Sequence, residues 1–306
     1  MKKVAVKTEI GKGYGSGHAQ RALTLVRALN DTGDYDARLV MPVYPASFPA
    51  PLKELCTEKV PLDAGLIIRD MRDSSAEEII QLKKTAPVAV IDDIGEGRDS
   101  ADFVVDLLPN KIHESDTSCY YPDLFLFGSD FIQGINAINE QYIEKEFDIA
   151  FYPGYYPDKG YVDAVTKIFP ENTSAVILSA GDRILYSKGE TYPLKLSYAE
   201  TLAASKVLIT HFGVSLYEGS LCGCSLLVIN PSEYHSSLTA IASEKMELNE
   251  LGLFSGFDEE KWAESMKKKL AQKKHPDADI TEIKQKINTC TKAFVQLVDD
   301  FFIKLH

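Results

Sequence analysis

Short apolar runs alternate with longer amphipathic stretches along this chain, and the alternation begins again near its midpoint. Runs at residues 4–6, 37–41, 66–68, 88–91, 103–105 and 124–127 are too short for helices and read as buried strands. Helical spacing fills several gaps between them, as at 75–84. A second block follows, with strands predicted at 148–151, 175–178, 207–209 and 226–229. Helices are predicted around it at 161–168, 198–204, 215–222 and 236–247. Strands that are apolar along their whole length need cover on both faces, so each block predicts a parallel sheet between helices.

The polar segment 137–147 separates the blocks. It sets the expected division into residues 1–138 and 139–306, two α/β domains in tandem. Near the end, Ile283, Ile287, Cys290, Phe294, Leu297, Phe301 and Leu305 follow helical spacing. They predict a closing helix, assigned with the second domain and able to pack across the junction. A chain of 306 residues can bury a sizeable core in each half.

Charge narrows the function classes. The net charge of −12 argues against a broad nucleic-acid face and against attraction to an anionic membrane. No apolar run approaches the roughly 18 residues of a membrane span. The N-terminus lacks the apolar core of a signal peptide. Five scattered cysteines include one close pair, Cys222 and Cys224, without zinc-ribbon spacing. Reduced, mostly buried thiols and a cytoplasmic location are expected, with no metal and no cofactor.

The stretch Lys12-Gly13-Tyr14-Gly15-Ser16-Gly17-His18-Ala19-Gln20-Arg21 follows the first strand. Its glycine spacing fits neither the dinucleotide fingerprint nor the P-loop. What remains is strand, glycine loop and helix start, since Leu25, Val26 and Leu29 continue at helical spacing. His18 then lies at a helix N-terminus, whose positive end disfavours imidazolium, with Arg21 one turn later on the same side. A neutral imidazole there can take a proton from water. A glycine-rich turn with a capping histidine accounts for the same residues. In Ile91-Asp92-Asp93, two carboxylates close a strand at the same sheet edge. One can orient the imidazole or bind a sugar hydroxyl, or both can simply form a turn.

In the second half, Ile209 to Ile229 reads as strand, loop, helix, turn and strand. Ser215 can cap a helix whose free N–H groups face a phosphate. Glu218, three residues on, completes a capping box or accepts bonds from ribose hydroxyls.

The whole chain resembles the nucleotide-sugar hydrolases of pseudaminic acid biosynthesis and the related spore-coat polysaccharide proteins. They share the GT-B fold of the glycosyltransferase that forms lipid II. The matching residues are Gly13 to His18 with Arg21, Ile91-Asp92-Asp93, Gly213-Val214-Ser215-Leu216-Tyr217-Glu218 and, more weakly, Gly128 to Phe131. The resemblance implies two Rossmann-like domains with parallel sheets and an interdomain cleft. It implies uridine diphosphate on the second domain, with ribose on Glu218 and diphosphate at Gly213, Val214 and Ser215; Gly154 and His211 join this nucleotide-binding set. It implies His18 as the base for an attacking water that expels UDP, with Asp93 as its orienter. Gly15, Ser16, Gly17, Arg21 and Asp92 would meet the sugar. The chain differs from the family at residues 129–132, 151–158 and 232–235, where sugar and diphosphate would sit. The expected function is therefore a UDP-sugar hydrolase for a surface sugar. The alternatives are a GT-B glycosyltransferase, with a sugar hydroxyl in place of water, and a nucleotide-sugar-binding protein without catalysis.

Overall fold

The structure, a computed structural model, describes all residues except 11–15, 43–53, 109–118, 121–123, 155–157, 180–182, 188–189, 273–274 and 306. The chain divides into two units, Met1–Ser129 with Lys286–His306, and Asp130–Gln285.

The first unit runs β1 (Lys2–Lys7), α1 (Gly17–Asp31), β2 (Tyr35–Val40), β3 (Cys56–Thr57), β4 (Leu66–Asp70), α2 (Ala76–Lys83), β5 (Val88–Ile91), β6 (Phe103–Asp106) and β7 (Cys119–Tyr120). Its seven strands are ordered β3-β2-β1-β4-β5-β6-β7 and all pair in parallel. The order reverses at β1, where a parallel sheet opens a ligand crevice at its carboxyl edge. Every residue of β4 and of β5 is buried, as cover on both faces requires. The apolar run 124–127 is buried as predicted but forms no strand. Apolarity reports burial, and pairing needs a free sheet edge in register.

The second unit holds most of α3 (Ser129–Ala137), then β8 (Tyr142–Ile143), β9 (Phe147–Phe151), α4 (Lys159–Lys167), β10 (Ala175–Leu178), β11 (Arg183–Ser187) and β12 (Glu190–Pro193). It continues with α5 (Tyr198–Ala203), β13 (Ser205–Thr210), α6 (Val214–Leu221), β14 (Ser225–Asn230), α7 (Glu233–Ala242), β15 (Leu248–Leu253), α8 (Glu259–Leu270) and β16 (Ala278–Asp279). The main sheet is ordered β12-β11-β10-β9-β13-β14-β15. Its five strands from β10 to β15 are parallel, and the β11–β12 hairpin extends one edge antiparallel. Trp262 on α8 is fully buried in this unit's core, and its indole N–H donates to the Leu251 carbonyl at 3.0 Å. That bond spares the core an unpaired donor.

The last helix, α9 (Ile280–Lys304), begins in the second unit, and its residues from Lys286 on belong to the first. The division therefore differs from the expected one at both ends. Phe294, Val298, Phe301 and Phe302 join the core of the first sheet, and Phe301 stacks on Phe103 with centroids 4.3 Å apart. The helical spacing was legible, whereas the surface it covers depends on the tertiary fold.

Candidate active site and nucleotide site

Three strand ends supply the candidate site of the first unit. β1 leads toward α1, whose first turn carries His18 and whose second carries Arg21. β4 ends on Asp70, and β5 is followed directly by Asp92 and Asp93. Since β1 pairs with β4 and β4 with β5, these side chains meet at one carboxyl edge.

His18 Nδ1 lies 2.8 Å from Asp70 Oδ1, and 14% of its side chain remains exposed. Arg21, only 1% exposed, donates from Nε to Asp70 Oδ2 at 2.7 Å and from Nη2 to Asp70 Oδ1 at 2.5 Å. Its Nη1 forms an ion pair with Asp92 Oδ2 at 2.5 Å, and Nη2 also approaches His18 Nδ1 at 3.2 Å. Burial penalises the Asp70 charge, but Arg21 and His18 outweigh it and hold its pKa below the ordinary carboxylate value. Burial likewise opposes the Arg21 charge, yet Asp70 and Asp92 raise its pKa. An ionised Asp70 only accepts hydrogen bonds, so Nδ1 carries the proton in the neutral ring. Nε2 is left bare, as a general base requires.

This arrangement replaces the expected one at three points. The carboxylate that orients His18 is Asp70; Asp93 does not meet the ring. Asp93 accepts from the backbone N–H of Ser74 at 3.0 Å and of Gly95 at 2.9 Å, from the Ser74 hydroxyl, and from Arg69. It braces two turns. Gly95 must be glycine there, because a Cβ would fall 2.3 Å from the Ser74 carbonyl oxygen. Arg21 and Asp92, expected to touch the sugar, are buried behind His18 and spent on each other and on Asp70. Asp92 takes φ of +52°, a strained value for a non-glycine residue. Its Oδ1 accepts from the backbone N–H groups of Leu107 at 2.7 Å and Leu108 at 2.9 Å, which fix that conformation. Ser16 precedes α1 without a side-chain cap bond, and Gly17 is its first residue. Gly15 lies outside the described residues.

The second unit gathers its candidate nucleotide site at the carboxyl ends of β9, β13 and β14. Gly213 is the N-cap residue of α6, with no side-chain cap bond, and Val214 opens the helix. The capping box is therefore not formed: Ser215 lies within the first turn, and its hydroxyl and Glu218 both address Tyr198. Tyr198 donates to Glu218 Oε2 at 2.9 Å, and Glu218 is 3% exposed. The helix start thus offers backbone N–H groups without a competing cap, the arrangement that suits an anion. Gly213 is extended, and a Cβ would meet nothing closer than His211 Nε2 at 4.0 Å. Among the described residues, nothing demands a glycine there.

His211 follows β13. Its ring lies nearly parallel to Tyr152, at 6.1 Å between centroids, and edge-on to His235 at 6.0 Å. Burial and then the charge of His235 lower its pKa to about 4. Gly154 makes this possible: it takes φ of +106°, and a Cβ would crowd His211 Cε1 at 3.2 Å. Phe212 N–H donates to Asn230 Oδ1 at 3.1 Å, which ties the β13 loop to the end of β14.

Sequence reasoning missed Asp70, Tyr152, Tyr198 and His235. Asp70 and Tyr152 closely follow predicted parallel strands, and that position is the signal by which they could have been found; His235 lies on α7, after the end of β14.

The chain matches no sequence-family profile and no curated protein. Solved structures do match it along nearly its whole length. The spinosyn rhamnosyltransferase SpnG, complexed with thymidine diphosphate, aligns with a TM-score of 0.58 at 11% identity, covering 98% of this chain and 100% of that one. The calicheamicin glycosyltransferase CalG4 aligns at 0.57 and 11% identity, covering 98% of each chain. A Listeria monocytogenes protein described as a UDP-N-acetylglucosamine 2-epimerase aligns at 0.58 and 10%, covering 99% and 98%. The fold is GT-B, two Rossmann-like domains built on parallel sheets.

Proposed function

We propose that this chain is a glycosyl-transferring enzyme that uses a nucleoside-diphosphate sugar. The observation that carries the reading is the pair of partly exposed His18 and buried Asp70 at a parallel-sheet carboxyl edge, with the second imidazole nitrogen left to take a proton. The nucleotide belongs on the second unit, its diphosphate at the start of α6 and its ribose on Glu218. Support comes from the uncapped helix start and from SpnG, whose structure holds thymidine diphosphate. UDP-sugars and TDP-sugars are both donors to test.

In the reaction, the acceptor O–H gives its proton to His18 Nε2 as its oxygen attacks the anomeric carbon. The bond from that carbon to the β-phosphate oxygen breaks, and the nucleoside diphosphate leaves with the electron pair. A sugar or aglycone hydroxyl as acceptor makes the enzyme a glycosyltransferase, the reading favoured by SpnG and CalG4. Water as acceptor makes it a hydrolase, the reading favoured by the resemblance at Gly13 to Arg21.

A panel of UDP- and TDP-sugars, with and without hydroxyl acceptors, decides between them by nucleotide release. Release only with an acceptor supports transfer, and release in buffer alone supports hydrolysis. His18→Ala abolishes either while leaving nucleotide binding intact. If every donor stays unreacted under both conditions, the enzymatic reading fails.

A further inference from the structure

Arg21 does more than hold Asp70 in place. Its guanidinium, 1% exposed, lies between two buried carboxylates and within 3.2 Å of the ring nitrogen that Asp70 also binds. A single acid would neutralise it. The second, Asp92, sits on a strained backbone and is fixed by two backbone N–H groups. Burying another charge is costly, so its presence at this spot calls for a role.

Charge bookkeeping around the ring supplies one. Asp70 Oδ1 is shared by His18 Nδ1 at 2.8 Å and Arg21 Nη2 at 2.5 Å. A carboxylate without a countercharge favours a second proton on the imidazole and so reduces the share of free base. Arg21 offsets that pull, and Asp92 takes part of the Arg21 charge away from Asp70. Among the described residues, other charged groups at this edge include Lys7 at the end of β1 with Glu9 beyond it, Arg69 and Glu78, Asp93 beyond β5, and Arg98 paired with Asp106 at the end of β6. Lys7 and Arg69 pair with Glu78, and Arg69 also with Asp93.

Resting on the reading of His18 as the base, we propose that Arg21 and Asp92 are positioning residues. Through Asp70 they set how much proton-holding charge His18 feels. Two substitutions then act in opposite directions. Asp92→Asn gives Asp70 the whole Arg21 charge and makes the ring lose its second proton more easily. Arg21→Met leaves Asp70 uncompensated and makes the ring keep it.

The test is a pH titration of ¹⁵N-labelled histidine by NMR on the free protein, with His18 assigned by His18→Ala. The His18 midpoint is expected to fall by about one pH unit in Asp92→Asn and to rise by about as much in Arg21→Met, a tenfold change each way. The acidic limb of the kcat/KM profile follows in the same directions, while KM for the donor holds. A purely structural role lowers the melting temperature in both variants without moving the midpoints apart. If Arg21→Met does not fold, Asp92→Asn decides alone. A folded Asp92→Asn protein with an unmoved or raised midpoint overturns the proposal. Midpoints that shift as stated uphold it even if no donor is consumed, a result that would remove only the functional reading.

Discussion

Protonation of His211 gives the second unit a built-in acid sensitivity. In the fold, burial and His235 lower its pKa from 6.5 to about 4. The unfolded chain therefore binds a proton at this site that the folded chain refuses between those two values. Stability contributed by the neutral ring is full above about pH 6.5 and is lost as pH falls toward 4. A drop of about 2.5 pH units at about 1.36 kcal/mol each gives a ceiling of roughly 3 kcal/mol. The ring keeps some contact with solvent, which brings the expected loss to about 2 kcal/mol. The perturbation is His211→Gln, which removes the proton site. Trp262 is the chain's one tryptophan and is fully buried in this unit, so its fluorescence follows urea unfolding of this unit. The wild type should lose about 2 kcal/mol more than His211→Gln between pH 7 and pH 4. Parallel curves for the two proteins would show that His211 does not stay neutral on folding, and the reasoning would fail.

Three other outcomes are expected. Glu218→Ala should weaken UDP or TDP binding about tenfold to a hundredfold by calorimetry, the range for a charged hydrogen bond, and unchanged affinity would remove Glu218 from the nucleotide site. Gly95→Ala places a Cβ against the Ser74 backbone and should destabilise the first unit by at least about 2 kcal/mol in chemical denaturation; a neutral effect would mean the turn can relax. Phe301→Ala leaves Phe103 unstacked and should cost about 3–5 kcal/mol, a loss that amide exchange would show in β1, β2 and β6 and not in β9 or β13.

What the sequence showed of this molecule depends on distance along the chain. The strands that fill both sheets are continuous apolar runs, and Val88-Ala89-Val90-Ile91 is legible because all four side chains are buried. The β11–β12 hairpin was missed because its sequence carries polar residues such as Arg183 and Glu190 among its apolar ones, so no continuous apolar run marks it. Helix α8 was missed because few of its side chains face inward, and only Trp262 and Met266 are buried. His18 and the Gly213 helix start stood out as local motifs. The residue that orients His18 did not, because Asp70 lies 52 positions away and is brought near only by the pairing of β1 with β4. Asp93 drew attention as a doubled acid beside a strand end. Its carboxylate was already required by the backbone N–H groups of Ser74 and Gly95.

Because α9 carries the chain back into the first unit, that unit is discontinuous in sequence while the second is one unbroken segment, Asp130–Gln285. On the ribosome, this inverts the usual order of maturation. The first residues to emerge carry β1, α1 and the His18 cluster, yet their apolar face lacks Phe294, Val298, Phe301 and Phe302 until the last two dozen or so residues are made. The later-made unit has all its own core residues sooner. A stalled or prematurely released polypeptide would therefore hold a finished second unit and an N-terminal sheet with its apolar face still open, a natural substrate for chaperones and proteases.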